Sequence, residues 1–355
     1  MTGRTAVFVS SLVVLGVMVG CGGPVEQGGP TGADGSKPEA GAGGVIFVGF
    51  DGSPPLVEAL REGKIQGLVL QNPRRMGYLG VKTLIDHLEG RAVEPEVATG
   101  ETLATPENMD DPEVAELLNP PKIDHGSDAS LAGQKQKRWR VMVIPKGTTH
   151  EFWQTIHFGA KTAADEMDAE ILWKGPQKED DRQQQIELVQ NAIALGVDGI
   201  VLAPLDARAL VGPVEQAVAR GIPVVIIDSA LNSDTPVSYV ATDNYNGGVL
   251  AARRMGALMG GKGRAILLRY AVGSASTEQR EQGFLDTMAS EFPEVEFVSK
   301  DQYAGATAAT ALEKSQQLVT RYRGQADAIF APNESSTFGM LRALEGAGML
   351  KSGAP

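Results

Sequence analysis

The sequence predicts an α/β protein built from two doubly wound parallel-sheet lobes. From residue 139 onward, short apolar runs such as "WRVMVIP" (139–145) and "IPVVIID" (222–228) alternate without interruption with amphipathic segments of helical period. These runs are apolar at nearly every position, the pattern of strands covered by helices on both faces. The chain has 355 residues, 42% hydrophobic and only 5% aromatic, so it can bury more than one core, with the composition of packed α/β layers. The units are too numerous for one modest sheet, which leads to two lobes.

In chain order, "VIFVGF" (45–50) reads as the first strand. It is followed by a short helix over 54–62, opened by Ser53 as cap with Pro54 at its first position, and by the strand "IQGLVLQ" (65–71). Apolar residues at helical spacing over 76–88 stop at Gly90, and 97–103 reads as one further strand. The stretch 104–137 is polar and broken by prolines, with at most one helical turn near 113–118, and reads as a linker. The second block gives strands at 139–145, 170–173, 199–204, 222–228, 237–243, 264–270, 295–300 and 328–332. Helices between and after them are expected over 152–167, 181–195, 206–220, 246–260, 277–291, 306–322 and 335–347.

The chain stops at "GMLKSGAP", after a helix, where the alternation calls for one more strand. Joining the ends would run "FAPNESSTFGMLRALEGAGMLKSGAP" straight into "GGVIFVGFDGSPP" and keep the rhythm. A circularly permuted order is therefore expected, with 45–50 pairing against 328–332. In that arrangement 72–92 and 139–243 form the first lobe, 44–71, 93–104 and 244–352 the second, and 105–138 the linker. The chain would cross between lobes near Gln71, Ala92 and Asp243.

The formal balance is 32 basic against 44 acidic residues and the basic ones form no stripe, which argues against a nucleic-acid partner. The short run Lys135, Lys137, Arg138, Arg140 reads as a solvated linker edge. A single cysteine, Cys21, excludes a disulfide framework or a cysteine-based zinc site within one chain. Its setting is an arginine, a chiefly apolar run over 5–19, and small residues before the thiol. This reads as a signal peptide over 1–20, since the run is short of the roughly 20 residues that span a bilayer. The tetrad Met18-Val19-Gly20-Cys21 looks like a bacterial lipobox, with Met18 where Leu is usual, which makes Cys21 the candidate lipidation site. The Gly/Pro-rich 21–43 then reads as a flexible tether.

Several strands end in side chains suited to hydrogen bonding: Asp51, Gln71, Asp228 and Asn333. In open α/β sheets ligands sit beyond the carboxyl ends of the strands, although each of these residues singly is also a common turn-former or helix cap. "GTTHEFWQ" places His150, Phe152 and Trp153 on a loop opening a helix, where core packing of the two aromatics is the competing reading. "SASTEQREQGF" places Arg280 near a helix start, where a surface salt bridge is the competing reading. Together these types suit a polyol: carboxylates and amides for vicinal hydroxyls, a guanidinium fork, an aromatic face for the C–H side of a ring.

The segments "VIIDS…VATDN", "REQGF", "IFAPNESS", "VGFDGSP" and "VLQNP" resemble the signature stretches of the ribose-type periplasmic sugar-binding proteins of ABC importers, over roughly 44–103 and 139–350 with the two parts in swapped order. The resemblance implies two Rossmann-like lobes joined by three hinge strands, a type I periplasmic binding protein fold that closes on a monosaccharide. It implies contacts from His150, Phe152, Trp153, Asp228, Arg280, Asn333, Asp51 and Gln71, with Tyr303 as an additional aromatic wall. His150 stands where the ribose binders use Asn, Ala203 replaces another Asn and Ser229 an Arg, which moves the expectation away from ribose itself. The implied setting is a lipid-anchored monomer in the periplasm or on the outer face of the membrane, delivering ligand to a membrane permease and using no cofactor. An enzyme on the same scaffold lacks a GxGxxG after a first strand and, with four scattered histidines, has little material for a triad or metal site. A sugar sensor for a membrane receptor stays open beside transport.

Overall fold

The computed structural model describes residues 44–120 and 138–350. Cys21, the signal peptide over 1–20, the tether over 21–43, Lys135, Lys137 and the rest of 121–137 lie outside the described residues. Chain order begins with β1 (Ile46–Phe50), α1 (Pro54–Arg61), β2 (Gly67–Gln71), α2 (Pro73–Leu88), β3 (Glu96–Ala98), β4 (Glu101–Ala104) and α3 (Pro112–Leu118). After the linker come β5 (Trp139–Ile144), α4 (Glu151–Glu166), β6 (Ala169–Trp173), α5 (Arg182–Leu195), β7 (Gly199–Leu202), α6 (Val211–Ala219), β8 (Val224–Ile227) and β9 (Ser238–Ala241). The remainder is α7 (Asn244–Leu258), β10 (Lys262–Arg269), α8 (Ala275–Glu291), β11 (Glu294–Tyr303), α9 (Ala308–Arg321), β12 (Ala328–Phe330) and α10 (Glu334–Ala347).

These strands form two six-stranded sheets, ordered β3-β9-β8-β7-β5-β6 in the first lobe and β11-β10-β12-β1-β2-β4 in the second. Only β4, which runs against β2, breaks the parallel arrangement. Side chains alternate across each strand and so feed two cores. In β1, Phe47 faces the core built with α1, α9 and α10, while Ile46, Val48 and Phe50 face the one built with α7 and α8. In β5, Val141 and Val143 meet α2 and α4, and Met142 and Ile144 meet α5 and α6. This is the doubly wound arrangement, and it puts α2 on the first lobe although β2, just before it, belongs to the second.

The strand from the front of the chain fills the place left at the back. β1 pairs parallel with β12 on one side (Phe47 opposite Ile329) and with β2 on the other. Leu350 lies against Val45 as a parallel bridge, with Val45 N donating to Met349 O (2.8 Å).

Three expectations are corrected. The single strand over 97–103 divides at Gly100, whose φ of +87° turns the chain: β3 joins β9 in the first lobe and β4 joins β2 in the second. The third crossing between lobes therefore lies at 99–100 instead of near Ala92, beside those at 71–73 and 242–244. The linker holds a packed element, α3, which buries Val114 and Leu118 at helical spacing against the second lobe together with Met109. Ser53 occupies the N-cap of α1 without a side-chain cap bond: Pro55 at N2 carries no amide hydrogen, and the N3 amide, Leu56 N, donates to Ser53 O (2.9 Å).

Each lobe brings its innermost helix pair together on glycine. Gly77 of α2 lies against Ile156 O of α4, and Gly159 of α4 against Arg74 O; in the second lobe Gly248 of α7 meets Arg280 O and Gly283 of α8 meets Tyr245 O. A Cβ at any of the four would overlap a carbonyl oxygen, so the helices would have to separate. Gly159→Ala is expected to lower stability by about 1–3 kcal/mol in urea denaturation, whereas Gly346→Ala, in α10 with open space around it, should leave it unchanged or raise it by up to about 1 kcal/mol. Equal effects of the two would contradict the packing argument.

Candidate functional site

Where the carboxyl ends of both sheets face each other, a cavity is lined by Asp51, Gln71, His150, Phe152, Trp153, Asp228, Arg280 and Asn333, eight of the nine side chains expected there. Lys146, Glu179, Tyr270, Ser274, Ser276, Thr277 and Glu334 complete the wall. The ninth, Tyr303, is not among them: it ends β11 at the edge of its sheet, 36% exposed, with the Arg269 guanidinium 5.2 Å from its ring. The aromatic that reaches the cavity from that lobe is Tyr270, at the end of the more central β10.

Asp51 and Asp228 follow β1 and β8 at corresponding places in the two lobes. Both have left-handed backbone (φ 66° and 64°), which Asp tolerates better than most residues. Asp51 Oδ1 accepts from Gln71 Nε2 (2.7 Å) and Oδ2 from Glu334 N (3.0 Å). Burial pushes its carboxyl above the ordinary carboxylate range, against the pull of the Arg280 charge and the Gln71 hydrogen bond. Asp228 Oδ2 lies 2.7 Å from Lys146 Nζ, an ion pair by distance though off the line of a well-aligned hydrogen bond, with both side chains 4% exposed.

Arg280 is held from three sides. Its Nε donates to Asn244 Oδ1 (2.8 Å), Nη1 donates to Pro332 O (3.0 Å), and the guanidinium stacks 4.0 Å from the Phe50 ring centre. Its Nη2 is buried without a protein acceptor. The salt-bridge reading of Arg280 thus gives way to a buried donor oriented by its surroundings. Asn333 carries both of its anticipated roles: it lines the cavity and caps α10, where its Oδ1 accepts from Ser336 N and Oγ. Trp153 is likewise both a core residue of the first lobe and part of the wall, in edge-to-face contact with Phe152.

His150 Nδ1 and Trp153 Nε1 both lie 2.6 Å from Glu179 Oε1, and Tyr270 OH donates to Oε2 (2.6 Å) across the cleft. Burial alone would lower the His150 pKa, but the hydrogen bond and charge of Glu179 override it and raise the pKa to about 9. Burial alone would raise Glu179, and the same partners bring it down to about 2. Such a histidine is an imidazolium at neutral pH and has no lone pair to act as a base. Glu334, buried beside Asp51 and opposed by His150, is raised to about 7.

Further bonds join the lobes. Lys146 Nζ donates to Ser274 Oγ (3.3 Å) and Ser276 Oγ (3.1 Å), Phe152 N to Glu334 Oε2 (3.3 Å), and Ser276 N to Ser229 Oγ (3.0 Å). Ser229, one of the departures from the ribose pattern, thus makes a cross-lobe contact. Ala203, another departure, is wholly buried in the first lobe's core. At the crossings, Thr242 Oγ1 donates to Gln71 Oε1 (2.9 Å) and lies 3.4 Å from Thr99 Oγ1, so a polar chain runs from Asp51 through the connections at 71–73, 99–100 and 242–244. Among the described residues no group of three or more His, Cys, Asp or Glu is arranged to hold a metal ion.

Lys146 and Tyr270 end strands as the expected residues do and follow from the same rule. Glu179 sits in an irregular loop that no sequence pattern singles out.

The model of the periplasmic binding protein domain matches residues 33–92 and 141–354. Among curated proteins, the chain is 27% identical to a xylitol-binding protein of Mycolicibacterium smegmatis over 56% of this chain and 55% of that one. It is 26% identical to a D-apiose import binding protein of Actinobacillus succinogenes over 59% and 66%. The chain therefore spans between about half and two thirds of these relatives. Among solved structures, a periplasmic component of an ABC-type sugar transport system from Hahella chejuensis and an ABC transporter solute-binding protein from Agrobacterium vitis with bound D-fucose each superpose with a TM-score of 0.57 at 34% identity. They do so over 59% of this chain and 76% and 73% of theirs.

The signs of the pKa shifts fix a pH dependence. His150 is raised above its ordinary value, so its contribution to stability is complete below about pH 6.5 and is lost as pH rises through about 9; raised Glu334 loses its contribution as pH climbs from about 4.5 through 7. Depressed Glu179 acts the other way, losing its contribution only as pH falls below about 4.5 toward 2. The melting temperature should therefore decline between pH 7 and 9, and His150→Asn should flatten that decline. An identical slope in wild type and variant by scanning fluorimetry would refute the assignment.

Proposed function

The chain belongs to the periplasmic binding protein domain family, and on that premise we propose that it is an extracytoplasmic solute-binding protein that captures a monosaccharide between two closing lobes and delivers it to an ABC transporter permease. The observation that carries this reading is the cavity itself. Side chains from both lobes meet in it, so a ligand completes its contacts only when the lobes are shut and draws the hinge equilibrium toward the closed form.

The charges favour a neutral guest. Lys146 is paired with Asp228 and His150 with Glu179, while Asp51 faces Arg280 and Glu334 titrates near neutrality, so little net charge is left for an ionic ligand to meet. What remains suits hydroxyl groups: the buried Nη2 of Arg280, carboxylate oxygens that can accept further bonds, the hydroxyls of Ser274, Ser276 and Thr277, and the Phe152 ring. The ligands named for the relatives, xylitol, D-apiose and D-fucose, are of that class.

A circularly permuted order is part of the proposal, supported by the contact of Val45 with Leu350 and the place of β1 between β12 and β2. Lipidation at Cys21 after removal of residues 1–20, a monomeric state and action at the outer face of the membrane complete it. Isothermal titration of the protein against a panel of pentoses, hexoses and alditols should find at least one binder. Asp228→Ala should weaken that binder by about tenfold to a hundredfold, the value of a charge-assisted hydrogen bond. An empty panel, or unchanged affinity in the variant, would overturn the reading.

A further inference from the structure

Both lobes reach one carboxylate, Glu179, and each presents its part of the contact ready made. Glu179 belongs to the loop 174–181 of the first lobe. Lys174 N donates to Val143 O (3.1 Å), Thr148 Oγ1 to Pro176 O (3.3 Å) and Thr149 Oγ1 to Gln177 O (3.4 Å), which fasten this loop to the end of β5 and the turn after it. Gly147 permits the approach, since a Cβ there would stand 2.9 Å from Glu179 Cγ. His150 and Trp153 then fix Glu179 Oε1, which leaves Oε2 for the second lobe.

Tyr270 is prepared in the same way from the opposite side. Its backbone N donates to Glu281 Oε1 (3.0 Å) and its carbonyl accepts from Gly305 N (3.0 Å), both within the second lobe. Glu281, wholly buried, in turn accepts from Arg269 Nε (2.5 Å). The phenol therefore arrives at Glu179 on a fixed backbone, and little conformational freedom is lost when the two meet. Other direct bonds between the lobes come from Lys146, Phe152 and Ser276, and from Ala207 N, which donates to Gly273 O (3.0 Å). At 2.6 Å the bond from Tyr270 to Glu179 is the shortest of these, and a hydroxyl donating to a carboxylate is of the stronger class. None of them passes through a guest.

We propose that Tyr270 and Glu179 are positioning residues that set the affinity of the cleft: their bond holds the lobes shut on its own account. The guest-free protein is then closed for a substantial share of the time, and a guest is retained by this bond as well as by its own contacts. The proposal uses the two-lobed closure of the reading above and not the identity of the guest.

Small-angle X-ray scattering of the guest-free protein tests it. Tyr270→Phe keeps the ring and removes the donor, so the ratio of closed to open forms should fall about tenfold to a hundredfold and the radius of gyration should rise. Tyr78→Phe, which removes a tyrosine-to-glutamate bond of 2.7 Å within the first lobe, should leave the scattering unchanged. If Tyr270→Phe does not fold, Glu179→Gln, which keeps the shape and removes the charge, should shift the scattering in the same direction. Scattering from the folded variant identical to that of wild type would overturn the proposal. For a monosaccharide that binds, stopped-flow release from Tyr270→Phe should be about tenfold faster or more, with association within about twofold; unchanged release would overturn it as well. If no monosaccharide binds, the sugar-binding reading fails, and the scattering still decides what the bond does.

Discussion

The second lobe depends on one insertion. β12 and β2 are not neighbours; each pairs with β1, which reaches its place from the opposite end of the described chain. Withdrawing β1 would leave a row of backbone donors and acceptors unpaired on each of two buried strands, in a sheet whose faces are both covered by helices. Unpaired buried amides and carbonyls are among the costliest features a fold can carry. The same strand presents Phe47 to one core and Phe50 to the other, and ends in Asp51. The lobe's hydrogen bonding, its packing and one carboxylate of the cleft are thus set by a single six-residue stretch.

The cleft obeys a second constraint, that buried charges be matched. Asp51, Asp228, Glu179 and Glu334 face Lys146, His150 and Arg280, and several of these groups act across the lobe boundary. Glu179 takes two donors from the first lobe and one, Tyr270, from the second. Separating the lobes exposes these groups to water and lowers the cost of leaving them unmatched, so opening exchanges paired charges for solvated ones. Net preference between open and closed forms is then a small difference that modest ligand contacts can decide.

Much of this was legible in the amino-acid sequence. Asp51, Gln71, Asp228 and Asn333 were found because a polar residue closing an apolar run marks the ligand-facing end of a parallel strand, and the missing last strand pointed to β1. The same rule applied to "RAILLRY" selects Tyr270, whereas Tyr303 belongs to a strand that runs three residues past its expected end and lies at the sheet edge. α3 was obscured by its prolines, although Pro112 is a helix starter and Val114 and Leu118 are four residues apart. The division of 97–103 depends on which sheet offers an edge on either side of Gly100, and that is decided by tertiary contacts. Glu179 owes its place to three partners that only the folded chain assembles.

Three crossings between lobes, at 71–73, 99–100 and 242–244, lie side by side, and Gln71, Thr242 and Thr99 tie them together in polar contact. Connections fastened in this way resist twisting one at a time and yield as a single flexure. Since Gln71 also holds Asp51, a guest that rearranges the partners of that carboxylate strains the fastening itself. The cleft and the joint are then parts of one elastic element, whose compliance is set by Gln71 at the cavity wall together with Thr99 and Thr242 behind it.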